Sequence, residues 1–370
     1  MSWFLNAMIS TIVTFLDTQN THFLNGLRPL RYFTAIHSKK SIEDEIMSRK
    51  PDVMLVRLVD GCLRKGNLWW REVQGLIEIT VSKAPKMVMK DMIVAKSYLT
   101  FCSQAERDSL ITLSITGNGF HIVVADHAGM VDTDVLSFHR PTNSLIFLRM
   151  VMGMVLLPDT YLGIDSSIIC RELGASTGVP FAKQYPPISK DFPASSTLFL
   201  NSIPPGWFPL KPTPTEEENG DRIAAILVDG RRYPVVRVIY EARSMIGRAT
   251  KKKVFLVRLQ NGELGVVKDS FIPPKKRQEL ELLEGLSLPF VPELVDGYVL
   301  RNTDYIRTVL IRKPRTLDVR EKRCVVTCPA GVPISDFSNL WELMIAFMDV
   351  VIGMCDNFHD FTCGFSDPSF

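Results

Sequence analysis

Met245-Ile246-Gly247-Arg248-Ala249-Thr250, then Lys251-Lys252-Lys253 and Val254-Phe255-Leu256-Val257-Arg258-Leu259, is the stretch on which the reading of the chain turns. Asn261-Gly262 follows, the dipeptide that most strongly marks a hairpin between two apolar runs. The second run is Leu264-Gly265-Val266-Val267-Lys268. Upstream, Val238 and Tyr240 lie in an apolar run between Arg237 and Glu241, read as a strand. Downstream of Pro273-Pro274, Glu279, Leu282, Leu283 and Leu286 fall at helical spacing. Three strands and a helix are predicted, with a lysine ending the third strand and a glutamate on the helix facing it.

These residues resemble the small lobe of a protein kinase. In that lobe a glycine lets the backbone close over the nucleotide phosphates, a third-strand lysine pairs with them, and a helix glutamate holds the lysine. Gly247 matches the first glycine, Ala249 and Lys252 stand where the next two belong, and Lys268 follows Val254 by fourteen positions. The chain is similar to the fungal-type protein kinases in particular. The resemblance takes in Ile246 to Thr250, Val266 to Phe271, Glu279 to Leu286, Arg323 to Val326, Gly331 to Ile334, Phe337-Ser338 and Glu342-Leu343. Upstream it takes in Gln104 with Arg107, Asp126 to Gly129, and Leu162 to Asp165. It implies ATP as the ligand and a protein hydroxyl as acceptor. By the same resemblance Lys268 pairs the phosphates and Glu279 orients it. Gly247, Val254 and Val266 cover the nucleotide, and Thr327, Cys328 and Ala330 meet the adenine.

Composition sets the class. With 370 residues, 46% apolar and 22% charged, the chain has ample material for two folded domains. A net charge of +3 gives no argument for nucleic acid or an acidic membrane. Seven scattered cysteines without a C-x-x-C pair suit reduced thiols in the cytoplasm or nucleus, not a disulfide framework or zinc site. The apolar stretches Met1–Leu16 and Leu145–Leu157 read as core-facing helices. The first lacks a basic leader and the second carries Arg149 and falls short of a bilayer's span.

The expected fold class is α+β, in four parts. Residues 1–183 form an α+β domain, 184–222 a proline-rich and acidic linker containing Trp207-Phe208, and 223–334 the kinase-like small lobe and hinge. Residues 335–370 begin a large lobe. Within the first part, residues 1 to about 50 read as helical. Strands are expected at Asp52–Leu58 and Gly75–Val81, a helix at Lys90–Cys102, and a hairpin pairing Ile111–Ile115 with Phe120–Ala125.

Pro51-Asp52 followed by Glu78-Ile79-Thr80 resembles the frame of nucleases that hold Mg²⁺ between an aspartate and a glutamate at adjacent strand ends. The lysine such enzymes carry two residues after the glutamate is Thr80 here. Strand alternation aims Lys83 at the other face. The frame therefore reads as a degenerate, restriction-endonuclease-like scaffold. The six histidines show no ligand spacing, and His139-Arg140-Pro141 precedes the small lobe, so no metal ligand is assigned.

Beyond the hinge, Leu340 to Phe358 is an apolar helical run, and no His-Arg-Asp loop or Asp-Phe-Gly follows it. Those motifs supply the proton-accepting aspartate and the magnesium ligands. The expectation is a kinase cut off within its large lobe, without catalytic residues or a magnesium site. An exposed apolar patch on 340–358 would then call for a protein partner. Two other readings stand beside it: a non-catalytic binding protein with a residual nucleotide site, and a degenerate nuclease-like first domain.

Overall fold

The computed structural model describes residues 1–18, 28–39, 41–42, 49–64, 68–80, 86–171, 176–185, 223–242, 253–274, 279–284, 291–300 and 320–331, and all but two of 340–349. The proposed linker, from Pro186 onward, lies outside them, as do Gly247, Lys83 and Leu286. The described residues fall into two compact units, 1–185 and 223–349. No helix among them is long and apolar enough to cross a membrane.

The first unit opens with α1 (Ser2–Thr18), β1 (Arg31–Thr34), β2 (Val53–Arg57), β3 (Cys62–Arg64) and β4 (Val73–Thr80). It continues with α2 (Lys86–Ser103), β5 (Ser109–Thr116), β6 (Gly119–Asp126), β7 (Gly129–Asp132) and β8 (Leu136–Ser137). It ends with α3 (Pro141–Leu156), β9 (Ile168–Cys170), β10 (Ser176–Pro180) and α4 (Phe181–Gln184). The main sheet has the order β1-β2-β4-β5-β6-β7, with β8 on β6 and only β4 and β5 parallel. A parallel pair needs a long crossover, which α2 supplies. Leu55, Leu76, Leu113 and Phe120 are fully buried in its core, with Trp70 beside them.

Residues 31–34 form a strand where a helix was expected. Tyr32 and Phe33 pair with Val56 and Leu55, and burying both aromatics on a sheet outweighs local helix preference. Phe33's backbone finds partners on α1. Its N–H donates to Asn6 Oδ1 at 2.8 Å and its carbonyl accepts from Asn6 Nδ2 at 2.7 Å, which closes part of an edge strand to further pairing. Next to it Arg31 is fully buried. It donates to the Leu157 carbonyl at 2.6 Å and shares Asp159 with Arg57. Burial, then the nearby Arg57 charge, lowers its pKa to about 9.

The second unit contains β11 (Ile223–Val228), β12 (Arg231–Glu241), β13 (Lys253–Arg258), β14 (Leu264–Ile272), α5 (Glu279–Leu283), β15 (Glu293–Leu300) and β16 (Glu321–Cys328). Within it the strands run antiparallel in the order β15-β16-β14-β13-β12-β11. Asp229 and Gly230, at φ 45° and 78°, make the two-residue β11–β12 turn that needs positive φ at both positions. Gly262, at φ 87°, turns β13 into β14. β14 runs to Ile272, four residues past the lysine that was expected to end the strand. β16 starts at Glu321, where Arg301 to Lys322 reads from sequence as charged and irregular, because Lys322 and Arg323 find acidic partners that allow them to be buried.

The two sheet faces differ. On β13 and β14 burial alternates with period two: Phe255, Val257, Val267 and Phe271 are buried, while Val254, Leu256, Val266 and Lys268 are half-exposed. The β11–β12 hairpin covers the buried face. There Tyr233 Oη donates to Asp296 Oδ2 of β15 at 2.9 Å, so the sheet curls back on itself. Among the described residues the opposite face is left open, and α5 flanks it.

Candidate functional site

The open face collects the residues that the kinase resemblance singled out. Val254 and Lys268 are direct cross-strand partners, and Val266 lies opposite Thr327. Partners across a sheet share a face, so Val254, Val266, Lys268 and Thr327 form one surface. Glu279 is the first residue of α5, and its Oε1 lies 2.5 Å from Lys268 Nζ. Leu280 lies against Gly297 of β15, where a Cβ would meet its side chain, so α5 is seated close on the sheet. Thr327 is buried at the end of β16, and Cys328 and Ala330 follow it. The Ala330 N–H donates to the Leu264 carbonyl at 2.8 Å, which ties this segment to the start of β14. Burial and the neighbouring Glu263, which accepts from the Cys328 thiol at 3.5 Å, push that thiol's pKa up.

In the first unit the motif residues gather around Arg107. This guanidinium is fully buried and donates from Nε and Nη2 to Gln104 Oε1 (2.9 and 2.7 Å), from Nη1 to the Leu162 carbonyl (2.8 Å), and from Nη2 to the Val73 carbonyl (3.1 Å). His127 Nε2 lies 3.1 Å from the Arg107 carbonyl, and the Asp165 N–H donates to the Glu106 carbonyl at 2.7 Å. Gln104, Arg107, His127 and the Leu162–Asp165 turn are thus one buried knot joining β4, β5, β6 and the segment after α3. Its chemistry is structural: every donor named is spent on a protein acceptor.

The carboxylates of the nuclease-like frame also meet. Asp52, immediately before β2, accepts the Ile79 N–H at 2.8 Å, and Glu78 next to it is fully buried. Thr80 supplies no ammonium, but α2 does. Lys96, itself 3% exposed, donates to Glu78 Oε2. Burial, opposed by Lys96 and reinforced by the Asp52 charge, raises the Glu78 pKa to about 7. The sequence reading passed over Lys96 because it looked for the lysine on the strand. Lys96 lies eighteen residues on, on the crossover helix, and only its burial on an apolar helix face could have marked it. Among the described residues no cluster of three or more metal-ligating side chains occurs.

Compared with curated proteins, the chain has no match. The profile of the fungal protein kinase family matches residues 50–299, which takes in most of the first unit's sheet, the lysine strand, α5 and β15. With two thirds of its length matched and the lysine–glutamate sheet in place, this chain belongs to the fungal protein kinase family.

Proposed function

We propose that the second unit is the nucleotide-binding lobe of a fungal-type protein kinase, taking ATP against the face that carries Val254, Val266 and Lys268. The observation that carries this reading is the 2.5 Å contact between Lys268 and Glu279, whose side chains are 33% and 45% exposed. An ion pair that open to water adds about 0–1 kcal/mol to folding, so stability gives little reason for it. An ammonium fixed beside an apolar, half-open sheet face is what the phosphates of a nucleotide need. Gly247 would close over them, and Val254 and Val266 would lie on the purine. Thr327 and Cys328 border its edge. Ala330 follows them, its amide held by the Leu264 carbonyl.

None of the 370 residues forms a His-Arg-Asp loop or an Asp-Phe-Gly motif. We assign the second unit nucleotide binding. Thermal melting with and without ATP tests the assignment. ATP should raise the melting temperature of the wild-type chain and leave Lys268→Ala unmoved. An equal shift in both proteins would sink it.

A binding role also has support from the helical residues within 340–349. Leu340, Trp341, Met344, Ile345, Phe347 and Met348 are each at least 43% exposed, a run of apolar surface that a partner protein would cover. Limited proteolysis should cut this segment first in the isolated chain, and resistance equal to that of the sheets would remove the case for a partner.

A further inference from the structure

We propose that Gly297 and Leu280 are the positioning residues of the Lys268–Glu279 pair: the bare backbone of β15 at Gly297 is the seat on which α5 rests, and Leu280 is the side chain that occupies it. The seat is a matter of geometry, and its consequence for ATP rests on the nucleotide reading above. α5 has little else to hold it. It runs only from Glu279 to Leu283, and none of its residues is buried. A helix that short has no stability of its own and takes its place from what it packs against. An ion pair as open to water as Lys268–Glu279 is too weak to fix it alone.

The sheet register explains why the seat lies at residue 297. Gly297 is paired with Val325, and Val325 with Lys268. The glycine and the lysine therefore stand in one row on one face, two strand spacings or about 10 Å apart. Val325 between them is buried. A Cβ built on Gly297 would overlap Leu280 Cδ1 and press on the Cys324 carbonyl at 2.9 Å, so the helix comes down onto a strand position that carries no side chain. With Leu280 seated at one end of the row, Glu279, the residue before it, reaches Lys268 further along. The strand is held at the same point from within. Asp296 Oδ1 accepts the Gly297 N–H at 2.8 Å, while its Oδ2 accepts Tyr233 Oη of the covering hairpin at 2.9 Å. A glycine inside a strand gives up packing and marks a close approach by another group. Here that group is the helix which carries the glutamate.

A glycine and a leucine kept only for packing make a different forecast, and the full chain can tell them apart. A water-soluble carbodiimide joins a carboxylate to an amine that touches it, so the fraction of Lys268–Glu279 crosslink, read by mass spectrometry, reports the pair without nucleotide. Leu280→Ala, which leaves the sheet intact, should lower that fraction at least about threefold as α5 leaves its seat. An unchanged fraction overturns the proposal. Gly297→Ala should lower it as well, and the double variant no further than the lower single, because both remove one contact. If Leu280 merely turns aside in Gly297→Ala, the crosslink stays at its wild-type level and the seat is refuted. Should the pressure on Cys324 keep Gly297→Ala from folding, Leu280→Ala decides. ATP titration gives the second readout. Leu280→Ala should weaken ATP binding about fivefold, as Glu279→Gln does, and the two together no more than either alone, since Leu280 acts through the glutamate. Additive losses would show that it does not. A crosslink that follows the forecast in a chain that binds no ATP upholds the seat and removes the nucleotide reading.

Discussion

Gly163 shows how much of this protein rests on single positions. It sits at φ 78°, and a Cβ added there would land on the hydroxyl and carbonyl of Ser109, a backbone contact that cannot move aside. Gly163→Ala should therefore cost at least about 2 kcal/mol of unfolding free energy in a denaturant titration. Asp159 is a second such position. Replaced by Asn, it would leave the buried Arg31 without its carboxylate, and a loss of about 3–5 kcal/mol is expected by the same measurement. Glu78 gives a pH signature. Its folded pKa is raised to about 7 from 4.5, so the folded state holds a proton there that the unfolded chain releases. That contribution to stability is complete below about pH 4.5 and is lost as the pH rises through 7. Wild type should lose stability between those limits relative to a Glu78→Gln/Lys96→Met double variant, in which neither member of the pair titrates. Parallel pH profiles would contradict this.

At the scale of elements, the second unit depends on how a hairpin folds over a sheet. β11 and β12 cover the buried face, and Tyr233 joins them to β15 through Asp296, while burial followed by the Asp296 contact pushes its pKa up to about 12. Tyr233→Phe keeps the ring and removes the donor, so a loss of about 1–2 kcal/mol is expected, with amide exchange faster in β15 than in β13. The hairpin was legible: Asp229-Gly230 between two apolar runs is the same signal as Asn261-Gly262, yet only the second was read. The alternation in β13 and β14 was legible too, since a period of two needs no tertiary context. The extent of β16 was not. Glu321, Lys322 and Arg323 look like a solvated loop until Asp269 is set 3.7 Å from Lys322 by a strand more than fifty residues upstream. Residues 31–34 misled for the same reason, because the partner strand that makes them a β-edge begins at Val53.

For the whole molecule, the kinase reading assigns the nucleotide to the second unit. ATP should stabilise the second unit through Lys268, and Glu279→Gln should weaken that stabilisation less than Lys268→Ala, since the glutamate only orients the ammonium; isothermal titration of both variants would show the order. The local pattern of apolar and polar residues and the turn dipeptides were enough to determine the β13–β14 hairpin and the face on which Lys268 lies, because neighbours along a strand or across a tight turn are fixed by short-range geometry. The pairing of Lys268 with Glu279 came from the kinase resemblance. What lay beyond the sequence were encounters between distant segments. Lys96 reaches Glu78 only when α2 crosses back over the sheet, and Gln104, Arg107, His127 and the Leu162–Asp165 turn meet only when four separate segments close on one guanidinium. Chain order records which residues are present, but a buried charge chooses its partner from whatever the folded core brings within hydrogen-bond reach.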